Sequence, residues 1–385
     1  RVLCDATGNV YVATIGSNGI QRSTDGGNSW TSILPTGLIN RVTEMRISNT
    51  GRLHIVCGYR NAGTSGYRYT DNPSTVTENS WTEPVTTFPT AFNSELAVSG
   101  NILYVLPANS SYRTPTIYKS IDGGANWAQT TTSPPGGASE PTINASQGWF
   151  DLAIGIDPTD PNVVIAGGLN FYRTLNGGET WSQITRWVGN TINYVHADHH
   201  AVVWNGSQVL LATDGGIFYS INGGTSFEDR NVGLRTKQFY SCAIHPLTTN
   251  YFLAGTQDNG THQLTTAGLG ASIEVRGGDG GFVHIDENEP QFQFGSTVYS
   301  NYLRSINGGA SWTGINYSDQ FGLFINPTDY DDINNKMYTS GGLNAGGSYI
   351  RWEDPQNGST FNSVSITSGT TGAITNVKVS SYTNN

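Results

Sequence analysis

Ser23-Thr-Asp-Gly-Gly-Asn-Ser-Trp30 recurs four more times with small changes: Ser120-Ile-Asp-Gly-Gly-Ala-Asn-Trp127, Thr174-Leu-Asn-Gly-Gly-Glu-Thr-Trp181, Ser220-Ile-Asn-Gly-Gly-Thr-Ser-Phe227 and Ser305-Ile-Asn-Gly-Gly-Ala-Ser-Trp312. Asp or Asn followed by Gly-Gly suits a hairpin turn that needs positive φ. The carboxylate or amide can bond back to turn amides, and the terminal Trp can pack the turn onto its sheet. Successive starts differ by 97, 54, 46 and 85 residues. Each long gap is close to twice a short one, so each hides one decayed copy. Thr70-Asp71 through Ser80-Trp81 reads as one remnant, and the stretch near His262 sits where the other belongs. A further degenerate unit surrounds Tyr349 to Trp352. Eight units of roughly 47 residues fill the chain, a period in the range of propeller blades.

Each unit repeats the same internal order. In the fourth, Asp151 to Ile156 alternates as a strand, and Asp157-Pro-Thr-Asp-Pro-Asn162 is a turn. Val163 to Ala166 is a second strand, Phe171 to Thr174 a third and Trp181 to Thr185 a fourth. The order recurs at Cys242 to Pro246 then Tyr251 to Gly255, and at Leu323 to Pro327 then Lys336 to Tyr338. Short strands joined by tight turns predict an all-β fold, a β-propeller of seven or eight four-stranded blades. Residues 1–385 read as one such domain. The closing stretch, Ala373 to Ser381, reads as the first strand of another unit. It either completes a ring beside the first blade or begins a second propeller.

Composition points the same way. Glycine supplies 48 of 385 residues, aromatic residues 11% and charged residues 12%. Few charges disfavour long surface helices, and so many rings disfavour disorder. The formal charge of −10 argues against a nucleic-acid partner, which needs basic patches. No apolar run approaches the ~20 residues of a membrane helix, so no membrane insertion is expected. Abundant Thr, Ser, Asn and Gly with scarce Lys resemble exported bacterial surface proteins, so an extracellular or cell-surface location is expected. The chain begins without Met or a signal-like start and reads as a mature or trimmed piece. Cys4, Cys57 and Cys242 lack C-x-x-C spacing and read as small buried apolar side chains, with one disulfide plus a free thiol as the lesser alternative.

The recurring octapeptide resembles the Asp-box, or bacterial neuraminidase repeat. That motif marks sialidases, sortilin-type receptors, photosystem assembly factors and xyloglucan-cleaving endoglucanases. The resemblance covers essentially the whole chain and implies a propeller with the box at the blade periphery. It does not fix function, because one fold hosts many. The sialidase branch implies an Arg-Ile-Pro stretch, and none occurs here.

Three segments stand apart from the repeat: Tyr194-Val-His196-Ala-Asp198-His199-His200, Thr256-Gln257-Asp258-Asn259-Gly260, and Arg276-Gly-Gly-Asp279-Gly-Gly-Phe282-Val-His284. They open or lie within neighbouring units. Tyr194, His196, His200, Gln257, Arg276 and His284 are therefore candidate substrate-binding residues. His196, Asp198 and His200 alternate, so on a strand they share one face. That spacing suits a divalent ion, but polar bonding to neighbouring blades is the preferred explanation, and neither a metal nor another cofactor is expected. Asp198, Asp214, Asp258 and Asp279 are expected to gather at one channel mouth. Glycines around Asp279 permit close backbone approach, either to a ligand or to a neighbouring blade.

Gly278-Asp279-Gly-Gly-Phe282-Val-His284 resembles a stretch of the xyloglucan-type endoglucanases, two-propeller inverting glycoside hydrolases, one residue short before Gly-Gly. The resemblance implies Asp279 as a catalytic carboxylate. Thr213-Asp214-Gly-Gly216 is similar to the stretch carrying the family's other carboxylate, with Ala212 in place of Arg and only 65 residues before Asp279. Asp258 is a nearer partner for either. Trp187, Tyr194, Phe239, Tyr240, Tyr299 and Tyr302 fall around the same units and can form a sugar-stacking platform or an inter-blade core. The expected function is an exported binding module for a polysaccharide or a surface protein, with an inverting endo-β-glucanase-like hydrolase as the alternative.

Overall fold

The structure, a computed structural model, describes every residue except 17, 61–64, 90, 133, 135–142, 189–191, 235–236, 267, 269, 318–321, 343–346, 367–371 and 381–385. Regular structure among the described residues is entirely β. Eight antiparallel sheets follow one another, and in each the strands pair in sequence order. Seven have four strands and the second has three. The first runs through Val2–Cys4, Val10–Ala13, Ile20–Ser23 and Thr31–Ser32. The others occupy residues 42–70, 93–129, 153–183, 199–229, 239–276, 283–316 and 328–365. These up-and-down sheets are propeller blades, and the fold is an all-β propeller.

The chain divides into two compact units, Arg1–Leu234 with sheets one to five and Arg235–Asn385 with sheets six to eight. Within each unit the core lies in the seams between consecutive sheets. Val56, Tyr67 and Tyr69 of the second sheet pack with Leu103, Val105, Tyr118 and Trp127 of the third. Phe294 and Tyr302 of the seventh pack with Tyr330, Met337 and Trp352 of the eighth. Middle strands meet a seam on both faces, so Leu53–Cys57 is buried at every position. Outer strands lie mostly outside the seams, so Thr31–Ser32 is exposed, although Ile315 of the outer strand Thr313–Asn316 still reaches the core between the seventh and eighth sheets. Burying each large apolar side chain contributes about 1.5–3 kcal/mol.

All five octapeptides form the hairpin between third and fourth strands. In the third sheet Ser120 Oγ donates to Asp122 Oδ1 (2.9 Å) and accepts the Gly124 amide (2.9 Å). Asp122 in turn accepts the Asn126 amide (2.9 Å), and Trp127 Nε1 donates back to the Gly124 carbonyl (3.1 Å). The hydroxyl-to-amide bond recurs at Gly27, Gly178, Gly224 and Gly309, at 2.8 to 2.9 Å. Within a unit each hairpin after the first sheet's also rests on the preceding sheet. A Cβ at Gly124 would fall on Tyr67 Oη, one at Gly178 on Thr130 and one at Gly309 on Tyr251. The second sheet keeps only a remnant, in which Thr82 bridges Tyr69.

Three expectations are corrected. Leu323 to Pro327 is not the first strand of the eighth sheet; that strand is Thr328–Asp331. The shift seats Tyr330 against Phe294 and lets Asp331 cap the following turn through the Ile333 and Asn334 amides. Residues 373–380 form no strand, and residue 381 lies outside the described residues. Two bonds to Asp329 hold that stretch, from the Val379 amide (2.6 Å) and Lys378 Nζ (3.0 Å). Only Cys57 is buried; Cys4 and Cys242 are exposed and all three are free thiols.

Two outcomes follow. At both Gly26 and Gly124 φ is positive, but the first has open space and the second would meet Tyr67. Gly26→Ala should cost about 1 kcal/mol and Gly124→Ala about 2–4 kcal/mol in chemical denaturation; equal losses would contradict hairpin docking. His54 is buried with Nδ1 2.7 Å from Tyr67 Oη. Burial first, then Arg52, lowers its pKa to about 3. The unfolded imidazole titrates near ~6.5, so the folded state binds fewer protons. Stability should therefore fall as pH drops from about 6.5 towards 3, and His54→Gln should make that acid-side fall in Tm shallower.

Candidate functional site

In the first unit two kinds of connection carry the chemistry. One joins the second and third strands of a sheet. The other leads from one sheet into the first strand of the next. Tyr59 and Arg60 belong to the first kind, in the second sheet; Trp149, Phe150 and Asp151 belong to the second, before the fourth sheet. Trp187, Tyr194, His196 and Asp198 precede the fifth sheet, and Asp214 sits between its second and third strands.

These side chains make a continuous row. The Arg60 guanidinium lies 4.3 Å from the centre of the Trp149 ring. Trp149 is 5.5 Å from Phe150, and Phe150 meets His200 edge-on at 4.9 Å. His200 Nε2 is 2.5 Å from Asp214 Oδ1. Arg60 adopts φ of 52°, the left-handed region, with its amide bonded to the Phe92 carbonyl (2.7 Å). Tyr112, Asp258 and Tyr299 share that conformation in the equivalent connections of the third, sixth and seventh sheets. The strain there belongs to the tight connection itself.

Below the row lies a group of acids. Carboxylate oxygens of Asp198 and Asp214 lie within 4.8 Å of one another. The Asp214 amide donates to the Asp198 carbonyl (3.2 Å), and Gln147 Nε2 donates to Asp198 Oδ1 (2.9 Å). Burial, then the Asp214 charge, raises the Asp198 pKa, while the Gln147 bond opposes the rise. Asp151 is fully buried, and neither carboxylate oxygen accepts a hydrogen bond from a described donor. Burial, then Asp198 beside it, pushes its pKa up to about 9. Its position is fixed by a turn in which its amide donates to the Gln147 carbonyl (3.1 Å).

His196, Asp198 and His200 do not share a strand face. Asp198 has φ of 59°, the strand begins only at His199, and a bulge follows. The His196 ring packs on Gly215, where a Cβ would lie 2.3 Å from it. His199 points into the core, stacked on Phe171 at 3.6 Å, and burial drives its pKa well down.

The second unit holds the other candidates. Asp258 Nα donates to Asp279 Oδ1 (3.1 Å), and the Gln257 amide to the Gln238 carbonyl (2.9 Å). Both carboxylates lie near Tyr240, whose pKa is raised by burial, then by Asp279 and Asp258. Asp279 is half-buried and Arg276 is exposed. His284 donates or accepts at Thr328 Oγ1 (2.8 Å) and lines a groove of ≈ 720 Å³ with Ser241, Phe282, Asp329 and Lys378. The glycines after Asp279 serve close backbone packing: a Cβ at Gly280 would meet the Gly260 carbonyl, and one at Gly281 would meet Ser296. Of the proposed platform rings, Trp187, Tyr194, Phe239 and Tyr299 are exposed, but Tyr302 is core. Arg60, Trp149, Phe150 and Asp151 escaped the sequence reading. The Gln147-Gly-Trp-Phe-Asp151 run, dense in rings beside an acid, was the available signal.

No protein-family model and no curated protein sequence matches the chain. A GH74 xyloglucanase from Xanthomonas campestris superposes with a TM-score of 0.51 and 16% identity, over 92% of this chain and 64% of that one. A GH74 enzyme from Niastella koreensis gives 0.33 and 18%, over 92% and 59%. YCF48 bound to a D1 peptide gives 0.35 and 13%, over 80% and 91%. The chain thus spans less than two thirds of either GH74 enzyme. The first superposition establishes the β-propeller fold and leaves the chemistry to the residues.

Gly255 offers a check on the second unit's seam. A Cβ there would lie 1.9 Å from the Gly281 carbonyl oxygen, whereas one at Gly278 would meet nothing. Gly255→Ala should cost at least about 2 kcal/mol by urea denaturation and Gly278→Ala about 1. Equal costs would show that the seam is looser than described.

Proposed function

We propose that the chain is an extracellular or cell-surface carbohydrate-binding module that takes a neutral, β-linked polysaccharide along the ring-lined face of its first unit. One observation carries this reading: Trp149, Phe150 and His200 form an unbroken row flanked by Arg60 and Asp214. Half-exposed rings offer apolar faces to a sugar, and the flanking charged groups offer hydrogen bonds to its hydroxyls. Exposed Trp187 and Tyr194, in the connection before the fifth sheet, extend the supply of rings. The hairpins fit the Asp-box pattern, and the acidic charge favours a neutral ligand over an anionic one. Polysaccharide is preferred over a surface protein because the row mixes rings with both a cation and an acid.

The alternative is hydrolysis. Asp214, paired with His200, and half-buried Asp279 are its candidate acids, with Asp258 as a third. Asp198 and Asp214 by themselves are too close for inversion, which needs carboxylates about 6.5–9.5 Å apart.

Affinity electrophoresis in soluble xyloglucan or mixed-linkage β-glucan separates the readings. The wild type should be retarded, and Trp149→Ala should weaken retention at least tenfold with near-UV circular dichroism unchanged. Failure of every neutral glucan to retard the wild type would reject the binding reading. Release of reducing ends that Asp214→Asn or Asp279→Asn abolishes would establish the hydrolase instead.

A further inference from the structure

We propose that the fold singles out Asn205, among seven Asn-Gly pairs, as a self-modifying site. There the side-chain amide is lost as ammonia through a cyclic imide, and an aspartyl or isoaspartyl linkage takes its place. This goes beyond the glycan reading and stands independently of it. Every Asn-Gly pair carries the same reactants: a side-chain carbonyl carbon and, one residue on, a backbone nitrogen with no side chain to crowd it. Composition alone therefore does not rank the seven; hydrogen bonding does.

The attacking nitrogen is tied in six of the seven. In the hairpins of the fourth, fifth and seventh sheets the amides of Gly177, Gly223 and Gly308 donate to the carbonyls of Asn162, Ser207 and Gln291, at 2.8 to 2.9 Å. The amides of Gly19, Gly260 and Gly358 donate to the carbonyls of Gly16 (3.2 Å), Gly278 (2.7 Å) and Asp354 (2.7 Å). The hairpin side chains are held as well. Oδ1 of Asn176, Asn222 and Asn307 accepts the amide four residues on, and Nδ2 donates to the hydroxyl of that same residue. A pair bonded in this way must break a hydrogen bond before it can cyclise.

Asn205 differs on each count. It ends the first strand of the fifth sheet opposite Gln208, and Gly206-Ser207 is the two-residue loop between them. Gly206 has φ of 58°, which fits a type II′ turn with glycine leading. Neither the Gly206 amide nor the Asn205 side chain has a hydrogen-bond partner among the described residues. Residues 205–207 are exposed, and a Cβ at Gly206 would meet nothing.

The step balances without a cofactor. Solvent base takes the Gly206 amide proton, and the nitrogen attacks Asn205 Cγ. The new C–N bond closes an imide ring, and Nδ2 leaves as ammonia with the proton returned. Water then opens the ring. Opening at Cγ gives aspartate, and opening at the main-chain carbonyl gives isoaspartate, with the chain routed through the side chain. Water enters, ammonia leaves, and nothing is oxidised or reduced. The Ser207 carbonyl holds the Gly223 amide (2.8 Å), so isoaspartate lengthens the loop on which the fifth sheet's Gly-Gly hairpin rests.

Peptide mapping by mass spectrometry, with fragmentation that separates isoaspartate from aspartate, tests this on the folded full chain aged in mildly alkaline buffer. Asn205 should convert at least about tenfold faster than any other Asn-Gly pair, since each of the others must first open a hydrogen bond. In guanidinium chloride, where no pair is protected, the seven rates should converge. Failure of Asn205 to lead in the folded chain would overturn the proposal, and so would a lead that survives unfolding. Asn205→Gln is an exposed change that keeps the loop glycine, so the variant should fold and lose most of the isoaspartate that enzymatic methyl transfer detects. Undiminished isoaspartate in that variant would overturn the proposal too.

Discussion

One hydrogen bond underlies the architecture: a serine or threonine hydroxyl at the end of a third strand accepts the amide of the second glycine in the following hairpin. It recurs at Ser23, Ser120, Thr174, Ser220 and Ser305. The acceptor hydroxyl is committed because it also donates to the Asp or Asn two residues on, which in turn caps an amide four residues further. The turn is thereby closed without help from outside. Closing it brings the second glycine of the third, fourth, fifth and seventh sheets' hairpins against the preceding sheet, and that contact sets how closely consecutive sheets approach. Apolar seams such as Tyr67 on Trp127 then fill the remaining space.

Periphery and face are separate parts of one blade. The hairpin between third and fourth strands does mechanical work. The connection between second and third strands, and the entry to the first, carry the variable chemistry. Four residues adopt positive φ in the former connection across four sheets, which places Arg60 and Asp258 at equivalent points of their blades. Loops on a rigid scaffold are where function is expected to collect. The ring row and the acid group of the first unit both lie there.

Much of the fold was legible because repetition supplies its own check. Each Gly-Gly hairpin confirmed the strand order of its neighbours, and even the decayed second copy kept a bridge between Tyr69 and Thr82. The eighth sheet misled because Leu323 to Pro327 is apolar enough to imitate a strand, whereas the true strand, Thr328–Asp331, is mostly polar. The site was legible in part. Asp198, Asp214 and His200 do come together, but not by strand alternation, because a positive φ at Asp198 and a bulge after His199 break the period of two. Asp151 reads in sequence as the first residue of a strand, and nothing local signals a buried acid without a donor. Trp149 and Arg60 come from different sheets, 89 residues apart in sequence, so only the fold could join them.

Native-state hydrogen exchange, read residue by residue, tests the central claim most directly. Open hairpin amides exchange rapidly, and closed ones report local opening free energy. The amides of Gly124, Gly178, Gly224 and Gly309, each bonded to a hydroxyl in a buried turn, should exchange at least a hundredfold slower than the Gly206 amide, which sits in a turn open to solvent. Exchange of those four at the rate of Gly206 would mean that the hairpins are not closed by the hydroxyl bond, and the account of how the sheets are held would be wrong.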